Sequence, residues 1–139
     1  QVVEAIAGIS IAEIFDIAGE AKFREMEQRA ISETMESGIC VLSVGGGAVC
    51  HLDTAALLKE RSILVWLKAS PETLLSRIGS TASRPLLHGN DPLAALKHLA
   101  EARADDYAIA DVVITTDGMS GTTATNAVLR ALDSHLAVT

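Results

Sequence analysis

The stretch that most limits what this chain can fold into is Ile39 to Val49, ICVLSVGGGAV. Ile39 to Leu42 and Val44 are nearly unbroken in apolar character, which predicts a strand buried on both faces. The run stops abruptly at Gly45, Gly46 and Gly47. Three glycines bury no side chain and lose the most backbone entropy on ordering, so packing alone does not require them. What they offer is bare backbone that a ligand can approach, with amide N–H groups able to face an anion or a hydroxyl. In open parallel sheets, ligands sit just beyond the carboxyl ends of strands. A flexible glycine turn would carry the same three letters, so the remainder of the chain has to decide.

Val2 to Ala7 reads as the tail of a helix stopped by Gly8. Ser10 and Glu13 then form a capping-box pattern ahead of Ile14, Phe15 and Ile17. Gly19 ends that short helix. A longer one follows from Glu20 to Ser37, stopped by Gly38, with Phe23, Met26, Ala30, Ile31 and Met35 on its apolar face. Glu27 falls on that face and Arg24 on its edge, three residues apart and so adjacent on the helix. A carboxylate on an inward stripe takes a cationic partner; an ordinary ion pair fits this spacing as well as a site does.

Past the glycines, Asp53 or Thr54 opens a helix with Ala55, Leu57 and Leu58 inward, and Ile63 to Leu67 reads as a second buried strand. Ser70-Pro71-Glu72 is a helix start, with a capping serine, proline at the first position and an acid in the first turn. That helix runs to about Arg77 and Ile78. Gly79 to Asn90 is polar and aperiodic but holds Arg84-Pro85-Leu86-Leu87. It is either a plain surface loop or a segment that closes over a ligand. Asp91-Pro92 starts a helix to about Tyr107, with Leu93, Leu96, Leu99, Ala100, Arg103 and Tyr107 in one stripe. An arginine in line with leucines is either paired or placed to hold an anion. Asp111 to Thr116 is a third strand, and Thr122 or Thr123 caps a last helix with Val128, Leu129, Leu132 and Leu136 on one side. Strands alternating with helices predict an α/β fold with a parallel sheet.

With 49% hydrophobic residues and 3% aromatic, the core of these 139 residues has to be aliphatic. The formal net charge of −7 speaks against a nucleic-acid or acidic-membrane surface, though not against a small anionic ligand met by a few arginines. No apolar run has the length of a membrane span. Cys40 and Cys50 read as reduced thiols in a cytoplasmic compartment, and His51, His88, His98 and His135 are scattered without ligand spacing.

The set Ser10-Ile11-Ala12-Glu13-Ile14-Phe15, Gly19-Glu20, Phe23-Arg24, Glu27, Gly45-Gly46-Gly47-Ala48-Val49, Arg77, Arg84-Pro85-Leu86-Leu87 and Arg103 with Tyr107 resembles shikimate kinase. The motifs run in that family's order across most of the chain. The resemblance implies a P-loop kinase fold, a three-layer parallel sheet with helices on both faces, and transfer of the γ-phosphoryl group of ATP to the 3-hydroxyl of shikimate with Mg2+. It implies that Arg24 and Arg103 clamp the shikimate carboxylate, that Glu27 orients them, and that Gly45, Gly46 and Gly47 approach the ring. Phe23, Pro85 and Leu86 would be apolar walls, Arg84 would reach the transferring phosphates, and Arg77 would lie against adenine. The segment from Asp117 to Gly121 takes the place of the family's adenine-flanking loop but matches it poorly.

As one domain over 1–139, the resemblance gives substrate-binding helices over about 1–37, core over 38–78, a lid over about 79–91 and core again over 92–139. It implies a monomer that meets shikimate and ATP, not nucleic acid or membrane. No G-x-x-x-x-G-K-[ST] occurs in these residues. In the family that loop, its lysine and an Asp-x-Asp pair come first, so the expectation is a chain starting after those elements, lacking their metal ligands and inactive as written. The alternatives are a non-catalytic shikimate-binding relative or another small-molecule kinase of the same fold, such as one for gluconate.

Overall fold

The capping box forms as read. Ser10 Oγ accepts the Glu13 amide at 3.2 Å, and the Glu13 carboxylate accepts the Ser10 amide at 2.9 Å. A computed structural model describes residues 2–78 and 91–138. Its helices are α1 (Val2–Ala7), α2 (Ile11–Glu36), α3 (Leu52–Arg61), α4 (Pro71–Ile78), α5 (Pro92–Tyr107) and α6 (Gly121–Val138), and its strands are β1 (Val65–Lys68) and β2 (Val112–Thr115). Within α2, Gly19 takes φ 81° and ψ 171° and breaks the helix where the sequence reading ends one helix and starts the next.

Two apolar clusters carry the packing. Val3, Ile14, Phe23 and Ala30 tie α1 to both halves of α2. Ile31, Ala48 and Leu58, with Met35, Leu42, Val44 and Leu57 against them, join α2 to α3 and to the one-turn 3₁₀ helix Ala48–Cys50. At Asp91 the side chain accepts the Ala94 amide at 3.0 Å, which starts α5 ahead of Pro92 as its sequence predicts. The cap of α6 is Ser120, whose Oγ accepts the Thr123 amide at 3.1 Å; it replaces the expected Thr122 or Thr123.

The fold is α/β with a parallel sheet, β1 lying beside β2 with Val65 opposite Val112 and Lys68 opposite Thr115. One expectation is corrected. Ile39 to Val44 belongs to no ladder among the described residues, and Ile39 and Val41 are fully exposed. A strand needs a hydrogen-bonded neighbour, and among the described residues β1 and β2 pair only with each other. Only alternate side chains of the segment, Leu42 and Val44, reach the core. The apolar face expected for α6 is likewise half open, with Leu129 and Leu136 exposed.

The two strands are pinned at both ends. At one end, Asp111 accepts the Leu64 amide at 2.8 Å and an ion pair from Lys59 of α3. Those bonds, the lysine's first, hold its carboxyl below the usual aspartate range. At the other, Asp117 accepts from the Ser70 amide and hydroxyl and from Thr73 Oγ1, joining the loop after β2 to the start of α4.

Candidate functional site

The second half of α2 presents Arg24 at its inner edge. Glu27, buried one turn on, accepts from Arg24 Nη1 at 2.7 Å, and Glu20 one turn back lies 3.5 Å from Nη2. The Phe23 ring supports the same guanidinium, with its centroid 4.9 Å from Cζ. Two carboxylates and a ring face therefore fix where this charge points.

The glycine turn meets it. Gly45 and Gly47 carbonyls accept the Ala48 and Cys50 amides at 3.0 and 3.1 Å, turning the chain into the 3₁₀ helix. None of these three glycines has a positive φ, so their value lies in the missing Cβ. A Cβ on Gly45 would stand 2.9 Å from Glu27 Oε2; one on Gly46 would stand 2.9 Å from Tyr107 Oη and 3.1 Å from Arg103 Nη1. On Gly47 it would stand 2.2 Å from Arg24 Nη2. The bare backbone that the sequence reading reserves for a ligand is, in the first instance, the seat for the chain's own arginines. Gly47 is buried beneath Arg24, whereas Gly45 and Gly46 are exposed.

Arg103 and Tyr107, one turn apart on α5, reach the same turn from the other side. Among the described residues, no carboxylate lies within salt-bridge distance of Arg103. Among the described residues, the ion pair of Glu27 is with Arg24 and not with Arg103. Arg24, Arg103, Gly47, Cys50, His51 and Leu99 line one open recess. Two guanidiniums, one of them without a carboxylate partner among the described residues, flank a turn whose Gly45 and Gly46 are exposed, an arrangement whose chemistry suits a small planar anion. The other groove on α2 is lined by Lys22, Glu25, Arg29 and Glu33. Four of its charges are paired as Lys22–Glu25 and Arg29–Glu33, and Glu36 lines it as well.

Cys50 also lines the recess. Burial first, and then the hydrogen bond to the Asp106 carboxylate, raise its thiol pKa against the pull of Arg103 and Arg24. The sequence places Leu99 in the apolar stripe of α5 and His51 among the scattered histidines, and reads neither as a site residue. His51 occupies the position before the first turn of α3 without capping its amides, and its Nδ1 lies 3.3 Å from Thr54 Oγ1. Phe23 is a core residue, 5% exposed, and touches the site through Arg24 rather than as an open wall.

Arg77 lies apart from the recess, at the end of α4. It donates to Thr116 Oγ1 at 2.9 Å and to the Thr116 carbonyl at 2.7 Å. Arg84, Pro85 and Leu86 lie outside the described residues, as does nearly all of the expected lid. Among the described residues, no three His, Cys, Asp or Glu side chains gather into a metal site, and no helix is long and apolar enough to cross a membrane.

The family model for shikimate kinase matches residues 1–133. The chain belongs to the shikimate kinase family. Among curated members of that family, the shikimate kinase of Caulobacter vibrioides is 44% identical over 130 residues, covering 94% of this chain and 65% of its own length. That of Mesorhizobium japonicum is 36% identical over 138 residues, covering 99% of this chain and 68% of its own length. The chain thus spans about two thirds of these shikimate kinases. A solved shikimate kinase from Acinetobacter baumannii, in complex with shikimate, superposes with a TM-score of 0.85 at 29% identity, over 97% of this chain and 74% of that one. The shikimate kinase of Aquifex aeolicus superposes with a TM-score of 0.77 at 28% identity, over 96% of this chain and 78% of that one.

Proposed function

We propose that the protein carrying this chain transfers the γ-phosphoryl group of ATP to the 3-hydroxyl of shikimate, giving shikimate 3-phosphate and ADP. One observation carries the reading: Arg24 and Arg103 rest on adjacent glycines of one turn, and Arg103 has no carboxylate partner among the described residues. A ring carboxylate supplies what that pair lacks, taking planar N–H donors from both guanidiniums. Gly45 and Gly46 then face the ring and its hydroxyls. Held there, the acceptor oxygen is positioned for in-line transfer, and phosphoryl transfer depends mainly on positioning and charge balance.

Arg84 fits the charge-balancing role on the transferring phosphate. Pro85 and Leu86 beside it would shield the reaction from water, the competing acceptor. Phe23 serves by backing Arg24. Arg77 takes the adenine side, where its bonds to Thr116 set the guanidinium's starting position. ATP would arrive with Mg2+, but no cluster among the described residues fits that ion. In this reading 1–37 bind substrate, 38–78 and 92–139 are core, and 79–91 close as a lid. The protein works in the cytoplasm as a monomer, on shikimate and ATP rather than on nucleic acid or membrane.

The test is turnover by the full-length protein with ATP and either shikimate or gluconate, with ADP release followed and the product identified by mass spectrometry. The expected result is one ADP per shikimate 3-phosphate and no reaction with gluconate. Phosphorylation of gluconate alone, or shikimate binding without ADP formation, would overturn the assignment.

A further inference from the structure

Gly46 differs from its neighbours in where its carbonyl goes. Gly45 and Gly47 carbonyls accept amides of the turn itself, from Ala48 and Cys50. The Gly46 carbonyl instead accepts the phenol hydroxyl of Tyr107, at the far end of α5. The Tyr107 ring is set in turn by Trp66 of β1, with centroids 5.3 Å apart in an edge-on contact. The hydroxyl is thus presented from a ring braced on the sheet.

Arg103 and Tyr107 are four residues apart, so they project from one face of α5. Both meet Gly46, at 3.1 and 2.9 Å from where its Cβ would stand, while Arg24 of α2 meets Gly47. The two arginines come from helices with no hydrogen bond between their side chains. Their spacing depends on how each helix sits on the turn. For α2 that seating is apolar, Ile31 packing with Ala48 just after the turn, while the Glu27 pair sets where Arg24 points from its helix. For α5, the polar contacts with this segment are the Tyr107 bond to the Gly46 carbonyl and, one turn of chain further on, the Cys50 thiol's bond to the Asp106 carboxylate; the first is the one made to the glycine turn itself.

We infer that Tyr107 is a positioning residue of the acid clamp: its hydroxyl tethers the Gly46 carbonyl to α5 and so fixes the distance at which Arg103 faces Arg24. This rests on reading the clamp as the carboxylate site. Without the tether, the turn and α5 can separate by a few tenths of an ångström, and two guanidiniums aimed at one carboxylate lose their common focus. The hydroxyl would matter to the acid and not to the nucleotide.

Tyr107→Phe in the full-length protein keeps the ring on Trp66 and removes only the hydroxyl. The shikimate KM is expected to rise roughly fivefold, the worth of one hydrogen bond. The ATP KM should stay within about twofold, and kcat should fall by less than KM rises. Gly46→Ala approaches the same contact from the other side, since its Cβ would crowd both Tyr107 Oη and Arg103 Nη1; the same split is expected. An unchanged shikimate KM in Tyr107→Phe would overturn the inference while leaving the proposed function standing, because the wild type would still phosphorylate shikimate. Equal losses for both substrates, or a variant that fails to fold, would make the hydroxyl a general stability element and overturn it equally. A wild type inert towards shikimate would remove both.

Discussion

Arg24 and Glu27 face each other across 2.7 Å on one turn of α2, both largely withdrawn from solvent, with the arginine's outer nitrogen over Gly47. The pair does two things at once: it neutralises a carboxylate on the inward face of a helix and aims a guanidinium at the recess. Glu27→Ala should destabilise the protein by about 3 kcal/mol, the lower end for removing one partner of a buried pair, since Glu20 is near enough to take part of the charge. Thermal melting checks the stability loss, and the shikimate KM should rise with it. A variant as stable as wild type would mean the pair holds nothing in place.

Gly47→Ala displaces Arg24 while leaving both members of its pair with Glu27 in the sequence. The glycine's φ of −91° suits alanine, and the Cβ clash falls on the far end of a flexible side chain. Arg24 would swing aside rather than the backbone move. Shikimate affinity should drop by roughly tenfold to a hundredfold, the range for a lost charge-assisted hydrogen bond, and the melting temperature should fall as well, since the displaced guanidinium leaves buried Glu27 without its partner. Titration calorimetry and melting together decide it, and unaltered affinity would detach Arg24 from the site.

Asp117 sets an acid limit. Hydrogen bonds from Thr73 and then Ser70 lower its pKa to about 2, against about 3.9 when unfolded. Because the folded value is the lower one, its contribution is fully present above about pH 4 and is lost as pH falls towards 2. Melting temperature followed from pH 5 downwards should therefore fall more steeply in the wild type than in Asp117→Asn. Parallel curves would show that the carboxylate's bonds to α4 add nothing.

How far the sequence carries depends on the range of each signal. The Ser10 cap, the Gly19 break and the Asp91-Pro92 start are settled within four residues, and all three form as read. The Ile39 to Val44 segment has the composition of a buried strand, but pairing is decided by a neighbour elsewhere, and none lies beside it among the described residues. Arg24 and Arg103 were legible because charge on an apolar stripe demands a partner. Tyr107 at its helical spacing from Arg103 was visible too. Its target was not, since a bond to a backbone carbonyl 61 residues away leaves no local pattern. The glycines were read for the right property, bare backbone, but the side chains that use it only fold into view.

Arg84 lies outside the described residues, and its assignment to the transferring phosphate follows from the family's motif. Arg84→Ala should lower kcat by more than it weakens shikimate binding. The reverse pattern would place it with the acid instead.

The most direct test of the clamp is equilibrium binding of shikimate to full-length wild type and Arg103→Ala, measured by calorimetry at one pH and salt concentration. Loss of an unspent guanidinium should weaken binding by roughly tenfold or more while the protein melts where wild type does. Affinity equal to wild type would contradict the convergence of Arg24 and Arg103 on one acid.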